Sequence, residues 1–118
     1  MTDSMPLGLK QELFARLYAE HLCWLHSLPG HETRLGDVFC REGHREGSNH
    51  YLKLAGDINL FIYGEFITST EGHAFSGGKW ESRHDLCRWG GNWDKDSHPG
   101  EPGENDGNHY SLIHEGRM

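Results

Sequence analysis

The stretch Ala55–Tyr63, A-G-D-I-N-L-F-I-Y, carries the clearest β signature in the chain. Apolar and polar side chains alternate along it, placing Ile58, Leu60 and Ile62 on one face and Asp57 and Asn59 on the other. The apolar face needs a partner layer, and Leu7–Leu28 supplies one. There Leu9, Leu13, Leu17, Leu22 and Leu25 recur near the helical period, with Lys10, Gln11, Glu12 and Glu20 between them, and Pro29-Gly30 ends the run. After the strand, Gly64-Glu65 reads as a two-residue hairpin connection with glycine first, returning Phe66–Thr70 antiparallel. Before it, Arg34–Cys40 reads as a strand and the polar, glycine-punctuated Arg41–Asn49 as a loop. Gly78–Cys87 is expected to form a short helix stopped by Gly90-Gly91. Trp93–Asn108 is expected to be a long exposed loop, and His109–Ile113 a closing strand. Helices and strands are segregated rather than alternating. The expected class is therefore α+β, a small antiparallel sheet with the N-terminal helix packed on one face.

A length of 118 residues suits one domain, 1–118, with one modest core. Trp 4, Tyr 4 and Phe 5 are too many aromatics for a disordered chain. The formal net charge of −7 argues against nucleic acid as a partner, which would need a basic footprint. No apolar run is long enough to span a bilayer, and Met1–Lys10 lacks the charged start and apolar stretch of a secretory signal. Cys23, Cys40 and Cys87 are odd in number and widely spaced. They read as reduced, partly buried thiols rather than a disulfide framework or a zinc knuckle, which fits synthesis in a reducing cytoplasm.

Chemistry is expected on the polar face of the main strand. In the last strand Tyr110 and Leu112 face one side and His109 and Ser111 the other, so pairing the two strands puts Asp57 and His109 on one surface. Ser48-Asn49-His50 lies just upstream. Two imidazoles and a carboxylate converging on an open face would make a three-ligand zinc site with room for a water. Asp106, three residues before His109, could curl over it as a general base. Plainer readings stand beside these: solvent-exposed histidines among the chain's 10, Asp57 capping a turn after Gly56, and Asp106 as an ordinary turn residue. Asp94, Asp96, Glu101 and Glu104 offer hard oxygen donors that would suit Ca2+, although their spacing does not match the twelve-residue calcium loop and a solvated charged loop is the favoured reading.

The block S-N-H-Y-L-K-L-A-G-D-I-N-L-F (Ser48–Phe61), followed by W-E-S at Trp80, R-W-G-G at Arg88 and D-G-N-H-Y at Asp106, resembles the zinc D-Ala-D-Ala carboxypeptidase and phage L-alanyl-D-glutamate endopeptidase family, in particular its small single-domain phage endolysins. The resemblance runs over Leu35–Ser111. It implies a hedgehog/DD-peptidase-like fold with a zinc cleft on the sheet face opposite the helix. It also implies zinc held by His50, Asp57 and His109, and Asp106 as catalytic base where much of the family has glutamate. The family places an oxyanion-stabilising arginine upstream. Here Cys40 falls where that arginine is expected, leaving Arg41 as the candidate and Arg45 in reserve. Ser48 is expected to hydrogen-bond near the ligand histidine. Trp89, with Gly90-Gly91, would shape a substrate groove or pack in the core.

What the resemblance implies is a cell-wall-lysing peptidase acting on the peptidoglycan stem peptide, cutting L-Ala–D-Glu. The alternatives are a D-Ala-D-Ala carboxypeptidase and a non-catalytic, metal-dependent wall-binding module. A monomer made in the host cytoplasm without a signal would need a holin-type partner to reach the wall.

Overall fold

The computed structural model describes residues 5–39, 48–96 and 103–118. Helix α1, Leu7–Ser27, leads into strands β1 (His31–Leu35) and β2 (Ala55–Ile62), with a short 3-10 helix, Asn49–Leu52, between them. Strand β3 (Glu65–Phe66), helix α2 (Ala74–Arg83) and strands β4 (Cys87–Trp89) and β5 (His109–Leu112) complete the order. The sheet runs β1-β2-β5-β4, antiparallel throughout, with β3 pairing β2 beyond the end of β5. This is the α+β class expected from the sequence.

Helix α1 buries Lys10, Leu13, Phe14, Leu17, Tyr18, His21 and Leu25, one continuous stripe at three- and four-residue steps. Leu9 is exposed and Leu22 only half-buried, while Lys10, expected on the polar face, is fully buried. Its ammonium is satisfied at the far end of the chain, donating to the Ile113 carbonyl (3.2 Å) and lying 2.9 Å from His114 Nδ1. The helix ends because Pro29 confines Leu28 to extended backbone (φ −81°, ψ 143°). Against this stripe pack Ile58 and Leu60 of β2, and Tyr110 and Leu112 of β5, all essentially solvent-free. Trp80 of α2 fills the centre, edge-on to Phe14, Tyr18 and Tyr110, and its indole N–H donates to the Arg88 and Ser111 carbonyls.

Four expected boundaries move. The first strand begins immediately after Gly30, because His31↔Ile62 through Leu35↔Ile58 is the register that pairs β1 with β2. Residues 36–39 are not strand, and the expected end at Cys40 lies outside the described residues. The hairpin loop is Tyr63-Gly64, not Gly64-Glu65. Ile62 pairs with Glu65, and both loop residues take positive φ (50° and 81°), the mirror-image turn that matches strand twist. Only Glu65–Phe66 of the return strand is regular. The second helix is Ala74–Arg83 rather than Gly78–Cys87. It packs through Ser76, Gly77 and Trp80, so small residues replace the apolar stripe that would have marked it, while Phe75 points outward. Cys87–Trp89 is instead the edge strand β4, paired Cys87↔Leu112 to Trp89↔Tyr110.

Of the cysteines, Cys23 is exposed, Cys40 lies outside the described residues, and burial pushes the Cys87 thiol up to about 12. No helix among the described residues is long and apolar enough to cross a membrane.

A buried polar chain links the helices under β5. Arg83 Nε donates to His21 Nδ1 (3.0 Å), His21 Nε2 meets Ser76 Oγ (2.9 Å), the Tyr110 hydroxyl donates to the same oxygen (2.9 Å), and His73 Nδ1 lies 3.0 Å from that hydroxyl. Burial, together with the positive charges of Arg83 and Lys79, holds His21 near pKa 3. An unfolded histidine titrates near 6.5, so between about pH 6.5 and 3 the unfolded chain binds a proton that the folded chain refuses. Stability therefore falls as pH drops through that window. His21→Gln is expected to flatten the pH dependence of urea-unfolding free energy near pH 5 by about 1.4 kcal/mol per pH unit. An unaltered slope would mean that His21 is not held neutral.

Candidate metal centre

Strand pairing brings the first two site residues together. β2 and β5 pair as Ala55↔Ser111, Gly56↔Tyr110 and Asp57↔His109, so Asp57 and His109 stand opposite each other, as alternation along the two strands led us to expect. His50 arrives from the 3-10 helix, whose first turn Ser48 caps by accepting the His50 amide on its Oγ (3.3 Å). Lys53, in a left-handed conformation (φ 59°), ends that helix and returns the chain to β2.

Three atoms then converge. His50 Nε2 and His109 Nδ1 are 3.2 Å apart, and each approaches Asp57 Oδ1, at 3.3 and 3.5 Å respectively. Among the described residues this is the one group of three or more histidine, cysteine or acidic side chains able to share a metal ion. Four ligands at zinc-type bond lengths of about 2.0–2.1 Å in a tetrahedron stand roughly 3.3–3.4 Å from one another. The three separations in the structure bracket that value. Two nitrogen donors and one carboxylate suit a first-row divalent ion. The outer nitrogen of one ring is also held: His109 Nε2 donates to the Met118 main-chain oxygen at 2.8 Å. A proton fixed on its outward nitrogen turns the His109 Nδ1 lone pair toward Asp57, the arrangement in which an imidazole ligates.

Without a cation, three such atoms repel. Burial disfavours charge on His50, but the hydrogen bond and charge of Asp57, the charge of Asp37 and the Val38 carbonyl outweigh it and raise its pKa. Burial likewise disfavours the Asp57 carboxylate, yet His109 and His50 hold it down at about 2. The cluster attracts positive charge, whether a shared proton or a metal.

His50 and His109 are buried and Asp57 is partly open, whereas Asp106 stands at the mouth with about half of its side chain exposed (55%). Its Oδ2 is 3.8 Å from His109 Nδ1, too far for a hydrogen bond and close enough to share a water. Close backbone packing sets its position: Asp106 N donates to Gly90 O (3.2 Å), Gly90 N donates to His109 O (2.9 Å), and a Cβ on Gly90 would lie 1.9 Å from the Asp106 carbonyl oxygen. Trp89 is buried and donates its indole N–H to the Gly107 carbonyl (2.7 Å). It is thus a core residue that props the turn, not a groove wall.

Trp93 is the tryptophan at the cleft. Its ring centre is 5.0 Å from that of His109, and it lines a cavity of about 370 Å3 with Ser48, His50, Asp57, Asp106 and Met118. Its aromatic character at the start of a polar run was the available signal. Asp106 also borders a second, open cavity of about 960 Å3, where β2 has no strand partner between β5 and β3 and Asn59 and Asn108 face the opening.

The expected loop Trp93–Asn108 is not uniformly exposed, because Glu104 and Gly107 are buried. Asp94, Asp96 and Glu104 do not form a metal-holding group among the described residues, and Glu101, like Arg41 and Arg45, lies outside them. No protein-family model matches the chain, and neither a curated protein nor a solved structure matches it.

Metal-free protein should be stabilised by Zn2+ or Co2+, by about 2.7 kcal/mol at a hundredfold excess over Kd. Thermal unfolding with and without metal measures this, and His50→Ala should abolish the shift. Equal melting of metal-loaded and metal-free wild type would refute the site.

Proposed function

We propose that the chain is a zinc-dependent peptidoglycan peptidase of the endolysin type, with a hedgehog/DD-peptidase-like fold, hydrolysing the L-Ala–D-Glu bond of the stem peptide. The observation that carries this reading is the tetrahedral spacing of His50, Asp57 and His109, with the solvent-open carboxylate of Asp106 one water away. The motif resemblance supplies the substrate class. Its separate blocks also meet in space: Trp80 and Trp89 lie under β5, and Gly90 abuts Asp106.

Zinc at the three donors would acidify a water and polarise the scissile carbonyl. Asp106, half-exposed at the rim, takes the proton from the attacking water. The water oxygen adds to the carbonyl carbon, and as the C–N bond breaks Asp106 passes the proton to the departing amine. His109, held by the Met118 oxygen, keeps its orientation throughout. Trp93 shields one side, and the open cavity beyond Asp106 gives an extended peptide room to lie across β2. Arg41, or Arg45 in its place, is the proposed oxyanion partner. Access to the wall from the cytoplasm would need a holin-type permeabilising partner.

Asp106→Ala should cut turnover by about 10²-fold or more while retaining the metal. Mass spectrometry of muropeptide digests, beside elemental zinc analysis, tests both. Release of whole stem peptides supports endopeptidase action, and loss of only a terminal alanine would reassign the enzyme as a D,D-carboxypeptidase. Chelator-resistant cleavage, or a fully active Asp106→Ala, would overturn the mechanism.

A further inference from the structure

The segment after β5 folds back on the metal centre. Glu115 (φ 50°) and Gly116 (φ 79°) form a mirror-image turn closed by His114 N to Arg117 O (2.9 Å) and Arg117 N to His114 O (2.8 Å). Three side chains pin this small hairpin to the body. Lys10 holds Ile113 and His114 from α1. The fully buried Asn49, next to His50, donates its amide to both Leu112 O and Arg117 O, each at 2.7 Å. Arg117 reaches back to the Ser48 carbonyl at 3.5 Å. So placed, Met118 borders the cavity that holds His50, Asp57 and Asp106, and its main-chain oxygen accepts the proton of His109 Nε2.

We propose that residues 114–118 are part of the metal site, and that Asn49 is a positioning residue which holds them there. The logic concerns which nitrogen of His109 is protonated. Nδ1 can ligate only if the proton sits on Nε2 and the ring is turned toward Asp57, and the Met118 oxygen enforces both. One amide from Asn49 fastens the end of β5 and the returning strand together, tying the orientation of His109 to the helix that carries His50. The inference rests on the metal reading of the three-donor cluster.

The test compares Zn2+ affinity, by competition with a chromophoric chelator, and the visible spectrum of bound Co2+, in the full chain, in Asn49→Ala and in a chain ending at His114. Expected is about 10–100-fold weaker Zn2+ binding in both variants, typical of losing an outer hydrogen-bond partner of a ligand histidine, with an altered Co2+ spectrum. The shortened chain leaves Asn49 and the core intact, so it reports even where Asn49→Ala folds poorly. A tail that serves stability alone would lower the melting temperature of the metal-free protein while leaving affinity and spectrum unchanged, and that result overturns the proposal. Failure of the full chain to bind either metal would overturn the reading of the cluster itself.

Discussion

The antiparallel register of β2 against β5 is the constraint from which the rest follows. Because side chains alternate across a sheet, a slip of one residue would turn Asp57 or His109 into the core and bring Ile58 or Tyr110 to the cleft. The register is held from both faces. Beneath, Ile58, Leu60, Tyr110 and Leu112 are sealed against α1 and Trp80. Above, the cluster of His50, Asp57 and His109 needs the pairing to exist at all. Core and site therefore enforce one another: apolar burial drives the strands together, and their alternation leaves two polar residues facing each other on the other side.

This interdependence explains which parts could be read from sequence. Ala55–Ile62 and Leu7–Ser27 announce themselves because a strand or helix with one buried face must repeat its apolar residues at that period. The apposition of Asp57 and His109 followed from alternation alone, whereas Ser48 beside His50 followed only from the motif resemblance, its role as a helix cap being visible in the structure. Helix α2 was misplaced because it is held by Ser76, Gly77 and a single tryptophan, and β4 because three residues show no period. Lys10 at a core position reads as surface until its acceptors at Ile113 and His114 are known. The roles of Asn49 and the 114–118 hairpin were equally hidden, since they consist of hydrogen bonds to main-chain atoms, which carry no residue identity.

The second polar system, running from Arg83 through His21 and Ser76 to Tyr110 and His73, lies on the opposite side of β5 from His109. His21, Ser76, Tyr110 and His73 are buried, and breaking one of their bonds would cost about 1–3 kcal/mol. It joins α1, α2 and β5 by contacts with strict geometry, where apolar packing alone would tolerate sliding. The strand that carries His109 is thereby gripped on both sides by directional bonds.

That grip is distributed unequally over the site. His50 and His109 are nearly solvent-free, and His109 is anchored by a main-chain oxygen on its outer nitrogen, whereas Asp106 sits half in water on a turn. The two duties proposed for these residues call for this division. A ligand must present its lone pair at a fixed distance and gains from every bond that removes its freedom. A base that accepts a proton on one side and delivers it on another, as proposed for Asp106, must be able to reorient. Anchoring Asp106 by its backbone, through Gly90, while leaving its carboxylate half-exposed suits the base proposed there.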